Sequence, residues 1–72
     1  MQIGCGQTVK TIDENQYIYF WWYEYSSGRS VQKYAYVGRA DDPDAKLRAN
    51  RMAHEYYVKS RKTLDKLIAA TR

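Results

Sequence analysis

From Tyr17 to Tyr25 the chain reads YIYFWWYEY, with seven rings in nine positions. Aromatic and β-branched content of this density predicts a strand. A second run, Ser30 to Val37 (SVQKYAYV), alternates with period 2 and predicts its partner, ended by Gly38. SSGR at 26–29 reads as the hairpin turn between them. Upstream, TVKTI at 8–12 predicts a short edge strand and DENQ at 13–16 a turn, while residues 1–8 have two glycines and no periodicity and read as loose. After Gly38 the period changes. Asp42 is the expected N-cap, Pro43 suits the first helical position, and Asp44 complements the helix dipole. No Gly or Pro follows Pro43 as far as Ala70, so one helix is predicted over 43–70. At 1.5 Å per residue it would run roughly 40 Å, longer than the hairpin, so its last turns project, bend or meet a partner. The expected architecture is α+β: a single domain over 1–72, with a two- or three-stranded antiparallel sheet over 9–38 and one long C-terminal amphipathic helix on one sheet face.

The hairpin turn sorts the rings. A two-residue loop (Ser27–Gly28) or a four-residue loop (Ser26–Arg29) gives the same pairing. Tyr25 then faces Ser30, Tyr23 faces Gln32, Trp21 faces Tyr34 and Tyr19 faces Tyr36. Ile18, Phe20 and Trp22 share the other face with Val37, Ala35 and Lys33, their expected partners. This register places Ile18, Phe20, Ala35 and Val37 under the helix. It leaves Tyr17, Tyr19, Trp21, Tyr23, Tyr25, Tyr34 and Tyr36 on a face that nothing else in the chain covers. An uncovered face of that kind marks an interface, and Tyr17, Tyr19, Trp21, Tyr23, Tyr34 and Tyr36 are its candidate residues, for a homodimer, a protein partner or stacked bases.

The helix sorts the charges. At 100° per residue, Ala49, Met52, Ala53, Tyr56, Tyr57, Ser60, Leu64, Leu67 and Ile68 share one broad arc, expected to pack on the Phe20 face. Arg48, Arg51, Lys59, Lys62 and Lys66 fall on a narrow arc on the other side, with Glu55 the only acid among them. The expectation is a basic stripe turned away from the sheet, on the opposite side of the monomer from the tyrosines.

Charge sharpens this picture. Residues 1–42 hold four basic and five acidic side chains, and residues 43–72 hold eight and three, so the net +4 comes from the C-terminal segment alone. Such a segment favours nucleic acid, an acidic protein or a membrane surface. No apolar run reaches the ~18 residues of a spanning helix, so no membrane partner is expected. The N-terminus MQIGCGQTVK lacks the features of a signal peptide. A single cysteine, Cys5, excludes an internal disulfide framework and points to a reducing, cytoplasmic setting.

Catalytic chemistry is not legible. His54 is the one histidine, and HEYYV lacks the second that a zinc helix needs. Asp41, Asp42 and Asp44 cluster as a helix cap would. No nucleophile–base pair is recognisable. The expectation is a non-enzyme with no cofactor and no metal.

The run YIYFWWYEYSSGRSVQKYAYVGRADDPDAKLRANRMAHEY resembles small archaeal and bacterial proteins built as an aromatic-rich strand, a Gly turn, a basic strand, Tyr-x-Gly and a helix. It is also similar in layout to the arm-type DNA-binding domains of tyrosine recombinases. That resemblance implies three antiparallel strands backed by one helix, with the sheet entering the DNA major groove. A groove-reading sheet normally offers Arg, Lys and Asn, whereas the open face here offers Tyr and Trp, with Gln32 as its main amide.

Two functions are therefore expected, ahead of a third in which the aromatic face stacks single-stranded bases, which suits the rings but has too little positive charge beside them. The first is a small nucleic-acid-binding protein, a homodimer, with DNA favoured over RNA. Its phosphate contacts come from Arg48, Arg51, Lys59, Lys62 and Lys66, with Arg29, Lys33 and Arg39 beside them, and its aromatic face serves dimerisation or stacking. The second is a non-enzymatic protein-interaction module, such as a virus- or plasmid-encoded inhibitor or adaptor, binding through the Tyr/Trp face.

Overall fold

A computed structural model describes residues 2–71. Three antiparallel strands, β1 (Cys5–Ile12), β2 (Asn15–Ser26) and β3 (Arg29–Arg39), form a meander in the order β1-β2-β3, followed by one helix, α1 (Pro43–Ala70). The fold class and the helix bounds are those the sequence predicts. The N-terminal segment is not loose as expected. β1 begins at Cys5, and upstream of it Gly4 accepts from the Tyr23 N–H at 3.0 Å while the Gln2 N–H donates to the Ser30 hydroxyl at 2.9 Å.

Both turns are two residues long with positive φ throughout: Asp13 (50°) and Glu14 (68°), then Ser27 (53°) and Gly28 (83°). This is the backbone twist that antiparallel hairpins select. The predicted turn at 13–16 is thus narrower, because Asn15 and Gln16 already pair with β1. The β2–β3 register follows expectation from Tyr25↔Ser30 to Tyr19↔Tyr36, and then breaks. Ile18 pairs with Gly38 rather than Val37, so Val37 is a bulged extra residue and β3 continues to Arg39 instead of ending at Gly38. The Arg48 guanidinium donates to the Val37 carbonyl at 3.1 Å, satisfying an oxygen next to the bulge.

The core is small: Ile18, Phe20 and Val37 from the sheet, Ala45 and Ala49 from the helix. Ala35 lies on that face but is only half-buried. Gly38 explains how the helix comes so close. A Cβ placed there would stand 2.9 Å from the Ala45 Cβ. Small residues meet at this end, whereas Trp22, Met52 and Tyr56 lie further along. Past them the packing ends, and residues 61–71 are exposed on every side. The apolar arc therefore does not pack along its length as expected. Tyr57, Leu64, Leu67 and Ile68 remain in solvent, Ile68 at 60 % exposure. The Cα radius of gyration is 14.9 Å, against about 11 Å for a compact chain of this length.

Candidate nucleic-acid interface on the open sheet

Paired residues of a sheet share a face. Opposite the helix, the face carries Tyr17, Tyr19, Trp21, Tyr23 and Tyr25 from β2, with Tyr34 and Tyr36 from β3. Tyr34 and Tyr36 are the barest rings, at 54 % and 58 % exposure. Tyr36 meets Tyr19 edge-on at 5.7 Å and Tyr17 at 6.1 Å, and Trp21 meets Tyr23 edge-on at 5.9 Å. Such contacts hold the rings in a fixed array before any ligand arrives.

β1 supplies what the array needs beneath it. A Cβ on Gly6 would lie 2.7 Å from Cζ2 of Trp21, so the indole covers this glycine, and the Tyr23 ring similarly lies over Gly4. The GCG of the N-terminus is thus a flat bed for two rings. Between its glycines, Cys5 turns to the other face, half-buried at the rim of the core beside Tyr57. A hydrogen bond with the Cys5 side chain, followed by its charge, raises the Tyr57 pKa above the ordinary phenol value.

Two cations sit on the ring face. Lys10 pairs with Tyr17, and its Nζ lies 4.6 Å from the centroid of Tyr19 and 5.4 Å from that of Tyr34. Arg39 pairs with Tyr17 as well and stands 5.9 Å from its centroid, held by Asn15 Oδ1 at 3.0 Å and Asp41 at 3.4 Å. No strand position on this face holds an Asp or Glu; Glu24, the one acid within β2, points to the helix side. Lys10 is absent from the sequence-predicted set. Its place was available from the two-residue turn, since Lys10 and Tyr17 stand equally far from Asp13–Glu14.

The other predicted cations are dispersed. Arg29 and Lys33 line the helix side of the hairpin tip with Glu24. Arg48 is committed to the fold, through Val37 and an ion pair with Asp42 at 3.6 Å. These contacts place its flank of the helix beside β3, while Asn50 on the other flank accepts from Gln7 of β1 at 3.2 Å. The basic arc consequently runs along the β3 side of the helix instead of pointing straight away from the sheet. Arg51, Lys59, Lys62 and Lys66 form no ion pair among the described residues. The acidic cluster is used locally: Asp42 caps the helix by accepting from the Asp44 N–H at 2.9 Å, and Asp41 pairs with Arg39. Among the described residues no group of His, Cys, Asp or Glu is arranged to hold a metal, and no helix is long and apolar enough to cross a membrane.

No family model matches this chain, and no curated protein or solved structure is significantly similar to it.

Proposed function

We propose that this chain is a small nucleic-acid-binding protein that stacks unpaired bases on its open sheet face. The observation that supports this is the composition of that face: an array of exposed rings, Lys10 and Arg39 among them, and no carboxylate on its strand positions. Rings stack on any base and contribute about 1–3 kcal/mol per base, while nearby cations meet the phosphates. The uncommitted cations on the β3 side of the helix extend the positive surface past the sheet edge. A sheet entering the major groove, as the recombinase resemblance implies, would need polar side chains where Tyr19, Trp21, Tyr34 and Tyr36 stand, so stacking is favoured over groove reading.

The test is a titration of the full chain with a single-stranded DNA, the matching RNA and the duplex DNA, each at two salt concentrations. Single strands should bind more tightly than duplex and quench tryptophan fluorescence. The affinity should fall with salt at a slope of only about −1.4, for two phosphates at about 0.7 each. The two single-strand arms separate DNA from RNA. Preference for duplex with a slope of about −3.6, for four phosphates at about 0.9 each, would transfer the function to the helix cations. Failure of all three ligands to bind would leave the ring face as a contact for another protein.

A further inference from the structure

The open face is ordered in rows, because residues paired across a sheet stand side by side. Lys10, Tyr17 and Arg39 form one row, from β1 through β2 to β3. The next rows toward the Ser27–Gly28 turn are Thr8, Tyr19 and Tyr36, then Gly6, Trp21 and Tyr34, then Tyr23 with Gln32 and Tyr25 with Ser30. Both cations of the face thus share a single row, and the rows toward the turn carry no charge. The Cα atoms of Lys10 and Arg39 are two strand spacings apart, roughly 10 Å. Both side chains lean onto rings, the ammonium over Tyr19 and the guanidinium over Tyr17. Asn15 engages Arg39 at Nη2 and Asp41 engages it at Nε, which leaves three of the five guanidinium N–H groups for a phosphate.

The helix cations are far from this row. Ala45 packs against Gly38, next to Arg39. Lys59 lies about 21 Å further along the helix axis, at 1.5 Å per residue. That course leads toward the hairpin tip, since Tyr56 bonds to Tyr23 and Lys59 shares a groove with Glu24.

We infer that a single strand crosses this face from β1 to β3 along the cation row, with two consecutive phosphates held by Lys10 and Arg39 and its bases turned toward the hairpin tip, onto Tyr36 and Tyr34. The inference rests on the stacking reading above and adds the size and course of the ligand. Two phosphates join three nucleotides, so the ligand class is a short unpaired stretch, such as a loop, a bulge or an overhang. Charge selects the course. A strand laid across the sheet meets both cations, whereas a strand running along β2 leaves the row at once and passes over neutral side chains. The acids at this end are Asp41 beside Arg39, and Asp13 and Glu14 in the turn beyond the row; they oppose a phosphate placed any further from the rings. Exposure selects the rings. Lys10 covers Tyr19, while Tyr34 and Tyr36 are the barest rings of the face.

Titration of the full chain with single strands of six and twelve nucleotides, over a series of salt concentrations, tests the course. Both lengths should give the same slope, about −1.4, and the same affinity per site. Lys10→Gln combined with Arg39→Gln should abolish the salt dependence and keep the near-ultraviolet circular dichroism of wild type. A second probe leaves the protein unaltered. A hexanucleotide with neutral methylphosphonate linkages, except for two adjacent phosphates, should bind within about fivefold of the ordinary strand, which offers four such pairs to its one. A larger loss would overturn the inference, as would a double variant that folds and keeps its salt slope. A slope that steepens from six to twelve nucleotides, and falls back in Lys59→Ala with Lys62→Ala, would overturn it too: the strand would then run along the hairpin to the helix, with stacking left in place. Failure of both strands to bind would overturn the stacking reading and this inference together.

Discussion

The Tyr56 hydroxyl donates to the carbonyl oxygen of Tyr23 at 2.7 Å, tying the helix to the central strand at the last point where the two run together. The same hydroxyl accepts from the Gly4 N–H at 3.2 Å, so one phenol oxygen joins α1, β2 and the segment leading into β1. Beyond it the helix meets the sheet at Tyr57, beside Cys5 of β1, and the chain continues into turns that are exposed on every side. Tyr56→Phe removes the donor and leaves a partly buried N–H without its acceptor. The expected loss is about 1–3 kcal/mol, read by urea denaturation. Amide exchange at Tyr23, whose N–H bonds to Gly4, should accelerate along with it.

Phe20 is 3 % exposed and stacks on Trp22 at 5.7 Å. Phe20→Ala should cost about 3–5 kcal/mol. A domain of this size has roughly 4–11 kcal/mol in total, so the variant should be unfolded or close to it by circular dichroism at 37 °C. A cooperative transition close to that of wild type would show that Phe20 is not the keystone of the core.

Gly38→Ala adds one methyl where the helix and sheet come closest. The new Cβ would meet the Ala45 Cβ at 2.9 Å and Arg48 Nη2 at 2.8 Å. The arginine can move, but Ala45 is fixed in the helix. The expected destabilisation is about 1–3 kcal/mol, the range for overpacking a tight site. Loss of the Arg48–Val37 hydrogen bond should appear as faster exchange around the bulge.

The open face can be dissected without touching the core. Gly6→Val should lift the Trp21 indole off the sheet, shift its fluorescence, and weaken single-strand binding about 10-fold, the equivalent of one stacked base. Lys10→Gln should flatten the salt slope by about 0.7. Lys59→Ala with Lys62→Ala should leave single-strand affinity within about threefold, because neither lysine lies on the ring face. If the double variant instead loses most of the binding while Gly6→Val does not, the contact surface is the helix.

The parts of this protein that were legible from sequence are those governed by neighbours along the chain. Asp42, Pro43 and Asp44 announce a helix start through capping and dipole effects that act within one turn, and α1 begins there. Ser27–Gly28 sets the register that separates Phe20 from Tyr19 and Trp21, because a two-residue turn and a period of 2 leave no freedom. Contacts between elements decided the rest. One bulged residue, Val37, restores Gly38 to the helix side and carries Arg39 onto the tyrosine face, where strict alternation would have placed it under the helix. Nothing local to Val37 demands that bulge; it goes with the fit of Gly38 against Ala45 and the reach of Arg48 to the Val37 carbonyl. The helix likewise reads as one amphipathic unit from Ala49 to Ile68, because periodicity records which residues share an arc but not how far a sheet extends beneath them. Small residues close one end of the helix–sheet contact, at Gly38 and Ala45, and how far that contact continues is a property of packed volumes and not of pattern, which is why Leu64, Leu67 and Ile68 stand in solvent.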